Sequence, residues 1–207
     1  MQLETINEVN WLHHFEGQQP KRYSKGDIVA FPQDKSNRVF YVESGILRVY
    51  LSYGGKNFTL ALLSQGDVYC SHTRAFVEAV EPSAVHSLEL HQFAKQLASN
   101  TQLVNRVTRV LSSTLAGCID VIENLAFRDV KSRFACFLLS QVTEGGATHS
   151  TITLPLSIEL LAQSIGTSRQ TLSTIVSDLV REDILIRLSP KRLIITDYHA
   201  LQALAEI

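Results

Sequence analysis

Hydrophobic and polar positions change their spacing twice along this chain. From Tyr23 to about Leu90 the runs YSKGDIVAF, RVFYVESGILRVYLS, NFTLALLSQGDVYC and AFVEAV carry β-branched and aromatic residues, punctuated by Gly26, Gly45, Gly54-Gly55 and Gly66. Short, evenly spaced strands with glycine turns predict an antiparallel barrel or jelly roll, the alternative being an open α+β sheet. After Leu90 the glycines thin out. Between Thr101 and Phe127, Val104, Val107, Leu111, Thr114, Cys118, Val121 and Leu125 recur at alternating steps of three and four, and Leu115 and Ile122 broaden the stripe. That is a heptad seam on a helix about 40 Å long, more than a small barrel needs to cover itself. It predicts a two-stranded dimer contact; the alternative is a helix packed along its own barrel.

The third region begins after FRDVKS, which reads as a hinge around Asp129. A helix from Val130 to about Val142, a Gly145-Gly146 turn and a short strand in THSTITL lead into LSIELLAQSIGTSRQTLSTIVSDLVREDILIRL. Ser157 is placed to cap one helix and Ser168 a second, with Ala162 as the small residue where two helices cross and Gly166 in the turn. ILIRLSPKRLIITD follows as two strands about Ser189-Pro190, a wing. The alternative, an ordinary helical hairpin in a core, does not explain Arg169, Gln170, Ser173 and Thr174 at or near the start of the second helix. Arg can grip guanine O6 and N7, Gln can pair with adenine N6 and N7, and a recognition helix meets bases near its N-terminus. Arg187, Lys191 and Arg192 on the wing, and Arg181, are within plausible reach of phosphate. The expected fold class is therefore α+β: an N-terminal antiparallel β jelly roll over 1–100, a long dimerisation helix and hinge over 101–129, and a C-terminal winged helix-turn-helix over 130–207.

Composition narrows this picture only modestly. The 207 residues suffice for one or two domains with a real core, and 45% hydrophobic against 19% charged is ordinary for a globular chain. The net charge of −1 gives no general attraction to polyanions, so a nucleic-acid site must come from local placement. No unbroken apolar run reaches the roughly 18 residues of a membrane span, and the start lacks the cationic-then-apolar order of a secretory signal. Cys70, Cys118 and Cys136, with no close pairing, suit reducing surroundings. A cytoplasmic protein without membrane contact is expected.

The stretch GDVYCSHTRAFVEAVE carries the candidate chemistry. Cys70 and His72 stand two apart, and on a strand such positions share a face. With barrel, long helix and winged helix-turn-helix in that order, the chain resembles the CRP/FNR regulators over nearly its full length. That resemblance implies a homodimer on a palindromic double-stranded DNA operator, with half-sites about 34 Å apart, and contact with RNA polymerase. The family's cyclic-nucleotide pocket has a glycine-glutamate stretch and a later arginine-serine pair. Here Gly66-Asp67 runs into VYCSHTRAFVEAVEP without that cassette, Arg74 alone does not restore it, and cyclic AMP is not expected. The family's iron–sulfur members have an N-terminal cysteine cluster, whereas the first cysteine here is Cys70.

GDVYCSHTRAFVEAVE, the preceding LRVYLSYGGKNFTLALL and SRQTLST in the recognition helix are similar to the CooA-type carbon-monoxide-sensing haem regulators within that family. The resemblance implies haem b with carbon monoxide as effector, and a transcription activator. Cys70 would ligate ferric iron and His72 would replace it in the ferrous state. A thiolate cancels the net positive charge of a ferric porphyrin, while a neutral imidazole suits the neutral ferrous form. The opposite ligand in that branch is an N-terminal amine from the partner chain, which here falls to Met1, with His13 or His14 as alternatives. Leu111, Ser112 and Leu115 would form the gas pocket. Cys118 and Cys136 read as packing thiols. A haem-free regulator that senses another small ligand, or redox state through Cys70, remains an alternative. An oxygenase built on the jelly roll would need several histidines and a carboxylate converging on one metal; His72, Glu78, His86 and His91 do not have that spacing, so no enzyme is expected.

Overall fold

The computed structural model describes residues 11–32, 37–71, 73–142, 151–154 and 157–206. The chain divides into two compact units, Met1–Ile119 and Asp120–Ile207.

Among the described residues of the first unit a short 3₁₀ helix, Trp11–Phe15, precedes eight strands: β1 (Lys21–Tyr23), β2 (Ile28–Ala30), β3 (Arg38–Ser44), β4 (Leu47–Tyr53), β5 (Lys56–Leu63), β6 (Val68–Cys70), β7 (Phe76–Ala79) and β8 (Ser83–Glu89). They form two antiparallel sheets, ordered β1-β8-β3-β6 and β2-β7-β4-β5. This is the expected jelly roll. Phe40, Val42 and Val85 from the first sheet meet Leu47, Val49, Leu63, Val77 and Ala79 from the second to make the interior core. Gly45, at φ +86°, permits the tight β3–β4 turn, and a Cβ there would lie 2.5 Å from the Pro82 carbonyl oxygen.

A second core covers the outer face of the first sheet. Trp11 and Phe15 pack with Val39 and Leu88, with Phe93 of α1 (Leu90–Ser99) and with Leu103 of α2 (Thr101–Phe127). Asn100 separates the two helices, and its side chain accepts the Leu103 N–H at 3.0 Å. α2 carries two apolar stripes. Leu103, Val107 and Val110 join the outer-layer core, whereas Val104, Leu111, Leu115, Ile119, Ile122 and Leu125 are exposed. Both readings of the heptad pattern thus have a physical counterpart: one side of the helix packs on its own barrel and another stays apolar and uncovered. By length and composition α2 would suffice to cross a bilayer, but Arg106, Arg109, Asp120 and Glu123 interrupt it.

The second unit has a single core. α3 (Val130–Ser140) supplies Phe134, Ala135 and Leu138; α4 (Ile158–Ser164) supplies Leu161 and Ala162; α5 (Arg169–Arg181) supplies Leu172, Val176 and Leu179; α6 (Tyr198–Ala205) closes it with Leu201. A three-stranded antiparallel sheet, β10-β11-β9, lies beside them, built from β9 (Thr151–Thr153), β10 (Leu185–Ser189) and β11 (Arg192–Ile195). The helix starts are fixed locally. Asp129 accepts the Ser132 N–H at 2.7 Å, Ser157 the Leu160 N–H at 3.3 Å and Ser168 the Thr171 N–H at 3.1 Å. α5 stops in a Schellman turn: Asp183 takes φ 57°, and the Ile184 N–H returns to the Leu179 carbonyl at 3.0 Å. The Gly145-Gly146 turn lies outside the described residues.

Candidate functional site

Two separate surfaces collect the side chains with functional chemistry, one in each unit. In the first, β6 is a three-residue edge strand, paired among the described residues with β3 alone. Cys70 lies opposite Val39, Tyr69 opposite Phe40 and Val68 opposite Tyr41. Opposed residues of an antiparallel pair share a face. Phe40 and Tyr69 belong to the interior core; Val39, Tyr41 and Val68 belong to the outer layer with Leu103 and Val107 of α2. Cys70 therefore faces the helix layer, away from the barrel interior. Its thiol is free and half-buried.

The side-chain alternation of β6 is described as far as Cys70. β6 terminates there. The Ser71 N–H continues the ladder by one bond to the Arg38 carbonyl (2.8 Å), and the Thr73 N–H returns to the Ser71 carbonyl (2.7 Å). His72 and Met1 lie outside the described residues. Arg74 is exposed. Asp67 is committed to the turn before β6: its carboxylate accepts the Ser64 N–H at 2.7 Å and the Ser64 hydroxyl at 3.2 Å. Burial pushes its pKa up, and those two bonds oppose the shift. Burial likewise raises the Tyr69 phenol, with the bond to Thr73 opposing it and the Cys70 and Cys118 thiols adding to it.

Leu111, Ser112 and Leu115 are on the exposed side of α2, Leu111 and Leu115 each 63% exposed. Within one chain they do not join the layer that Cys70 faces. Cys118 is exposed too, so it is no packing thiol of the single chain. Cys136 is half-buried and specifically contacted: an Arg128 guanidinium N–H points at its sulfur at 3.2 Å and also donates to the Ala205 carbonyl. His13 is exposed and bonds Glu16 at 2.6 Å. His14 packs edge-on to Trp11, and burial is the main cause holding its pKa below the usual value.

The residues weighed for an oxygenase go to separate partners. Glu78 pairs with Arg48 at 2.7 Å under the Tyr50 ring. His86 is buried, with Nδ1 3.0 Å from the Gln18 carbonyl oxygen and Nε2 3.6 Å from Glu43. His91 meets Glu89 at 3.0 Å. Among the described residues no three His, Cys, Asp or Glu side chains gather as a metal site. The pattern-based reading passed over three hydroxyl residues of the YCSHT segment, Tyr69, Ser71 and Thr73. Their only signal was the density of hydroxyls around Cys70.

In the second unit α4, the Gly166 turn (φ 71°) and α5 make the expected helix-turn-helix. The Thr167 N–H bonds the carbonyl of fully buried Ala162 at 2.9 Å, which fixes the crossing of the two helices. Leu172, Val176 and Leu179 turn inward, while Arg169, Gln170 and Thr174 are exposed and Ser173 is half-exposed. Lys191 and Arg192 at the β10–β11 turn and Arg187 on β10 are exposed as well. Arg181 is held by Asp178 at 2.7 Å, so it is already part of a surface ion pair. The arrangement offers a polar helix start and a cationic wing tip.

Two family models match consecutive parts of the chain: a cyclic nucleotide-binding domain over residues 20–100 and a Crp-like helix-turn-helix domain over residues 132–204. The chain is 30% identical to the global nitrogen regulator of Synechococcus elongatus over 188 residues, 84% of each chain. Among solved structures it is similar to a CooA variant from Carboxydothermus hydrogenoformans, with a TM-score of 0.86 at 31% identity over 99% of this chain and 95% of that one. It is also similar to the reduced (Fe(II)) CO-sensing protein from R. rubrum, with a TM-score of 0.52 at 30% identity over 94% of this chain and 93% of that one. The chain belongs to the CRP/FNR family of DNA-binding transcription regulators.

Proposed function

We propose that this chain is a homodimeric, haem-dependent regulator that reports carbon monoxide to DNA in the cytoplasm. The observation that carries the reading is Cys70: a free thiol ending an edge strand and facing the apolar layer that α2 covers, in a chain with strong likeness to CooA. The donor set suits the group. A thiolate is a good ligand for ferric iron and an imidazole for ferrous iron, and Cys70 and His72 are the residues that would hold it, one in each state. Haem b bound there would supply an iron that takes carbon monoxide when ferrous.

The other roles fall on the chain's own side chains. Met1 is the residue whose amine would also hold the group, with His13 and His14 as alternatives. The exposed stripe of Leu111, Leu115, Ile122 and Leu125 would close against its counterpart in a second chain. That contact would bring Leu111, Ser112 and Leu115 into a small enclosed space fit for a diatomic gas. Arg169, Gln170, Ser173 and Thr174 would read base edges, and Lys191 and Arg192 would hold phosphate. Gas binding then needs only to favour the DNA-competent state; a shift from 1:99 to 99:1 takes about 5.5 kcal/mol. By analogy the bound dimer would activate transcription through contact with RNA polymerase.

A haem-free regulator that senses another small ligand, or redox state through Cys70, is the second reading, and the 30% identity to a global nitrogen regulator supports its haem-free part. Absorption spectra of haem-supplemented protein, oxidised, reduced, and reduced under carbon monoxide, separate the two. Cys70→Ser is expected to alter the ferric spectrum alone, and His72→Ala to alter the ferrous spectrum and uncouple gas from DNA binding. Wild-type spectra from both variants in both states would remove the haem assignment.

A further inference from the structure

Cys70 ends a strand that has one neighbour and three residues, a setting in which strand ends fray. Beyond it the chain is nonetheless tied down. Ser71 is buried; it gives its N–H to the Arg38 carbonyl at 2.8 Å and its hydroxyl oxygen accepts the Arg38 N–H at 3.0 Å. Thr73 sends its N–H back to the Ser71 carbonyl and places its hydroxyl 2.9 Å from the Tyr69 hydroxyl. The Tyr69 ring is rooted in the interior core opposite Phe40. The residue before Cys70 and a residue three beyond it are thus joined side chain to side chain.

We propose that Tyr69 and Thr73 form a hydroxyl clasp that positions Cys70 and sets how readily its thiol is released, a proposal that rests on Cys70 as the iron-holding residue. Side chains alternate along β6, so Tyr69 points into the barrel while Cys70 points to the helix layer. The clasp therefore works on the face opposite the thiol and acts through the backbone between them. Ser71 supplies the second hold, to β3. Tyr69 and Thr73 act here as positioning residues. Opening the segment would have to break the hydroxyl pair as well as the Thr73 N–H bond to the Ser71 carbonyl.

The test is peptide-resolved alkylation of the full-length, haem-free protein with iodoacetamide, with Cys136 as the internal control. Tyr69→Phe and Thr73→Val are each expected to speed alkylation of Cys70 about 3- to 10-fold, the range one hydrogen bond spans, and to leave Cys136 unchanged. The double variant should react no faster than the faster single one, since both remove the same bond, and Thr73→Ser should restore the original rate. An unchanged Cys70 rate in both single variants, or equal acceleration at Cys136, would overturn the clasp. In haem-loaded protein the same substitutions should raise the midpoint potential of the ferric–ferrous couple, because the ferric partner is held less firmly. Faster alkylation with an unchanged midpoint would overturn the link to release. Failure of the wild-type protein to take up haem would instead remove the functional reading, and the alkylation result would still decide the clasp.

Discussion

In the DNA-reading unit, each side chain assigned to a base or phosphate stands on an element whose geometry is fixed within a few residues. Ser168 caps α5 through Thr171, Gly166 makes the turn before it, and the Schellman turn at Asp183 ends it. In the first unit, Cys70 owes its position to residues far along the chain. Val39 sets its register, Arg38 pins the residue after it, and the face it looks at is built by Trp11, Phe93 and Leu103. A locally determined surface and a non-locally determined one respond differently to substitution, which offers ways to test the contrast.

The largest expected effect is Phe134→Ala, which empties a fully buried position in the single core of the second unit. It should cost about 3–5 kcal/mol there and leave the melting of the jelly roll in place; one common loss of both transitions would break the comparison. Gly45→Ala makes the reciprocal case. A positive φ and the close approach of Pro82 and Ser83 should remove roughly 2–3 kcal/mol from the first unit, with DNA-domain melting unchanged in calorimetry. Arg169→Ala should cost about 1–3 kcal/mol of specific binding and relax preference at one base per half-site. A uniform loss on all sequences would make Arg169 a phosphate contact. Ser168→Ala should lower the stability of the second unit by about 1 kcal/mol.

The smallest effect concerns pH. Burial raises the folded pKa of Asp67 above its ordinary value, so the native state holds that proton more tightly than the unfolded chain. Its contribution to stability is then full below the unfolded pKa and declines as pH rises through the folded one. Asp67→Asn, which keeps an acceptor for Ser64, should flatten that decline in unfolding curves taken across the acidic range.

The same contrast explains what the sequence could disclose. The caps at Ser157 and Ser168, small Ala162 and the Gly166 turn are short-range signals, and the helix-turn-helix and wing follow them closely. The glycine spacing was enough for a jelly roll, and the structure resolves its two sheets. The heptad pattern was ambiguous because α2 bears two apolar stripes: Val107 turns toward the protein's own core, and Leu111 and Leu115 turn away from it. Strand length is a tertiary property: β6 stops at the cysteine, and His72, expected from its two-residue spacing to share the face of Cys70, lies outside the described residues. The bond between Tyr69 and Thr73 was illegible for the same reason, as was the approach of Arg128 to Cys136 and the end of α6.

Thr174 carries one more consequence. Its hydroxyl hydrogen is donated to the Gln170 carbonyl of its own helix at 3.2 Å, so the oxygen presents lone pairs outward beside a methyl group. A base edge meeting that surface finds an acceptor and an apolar contact. Amino groups of adenine or cytosine and the methyl of thymine suit it, and the paired acceptors of guanine do not. Under the proposed role of Thr174 in reading bases, this internal bond of α5 would bias the operator alphabet at one position.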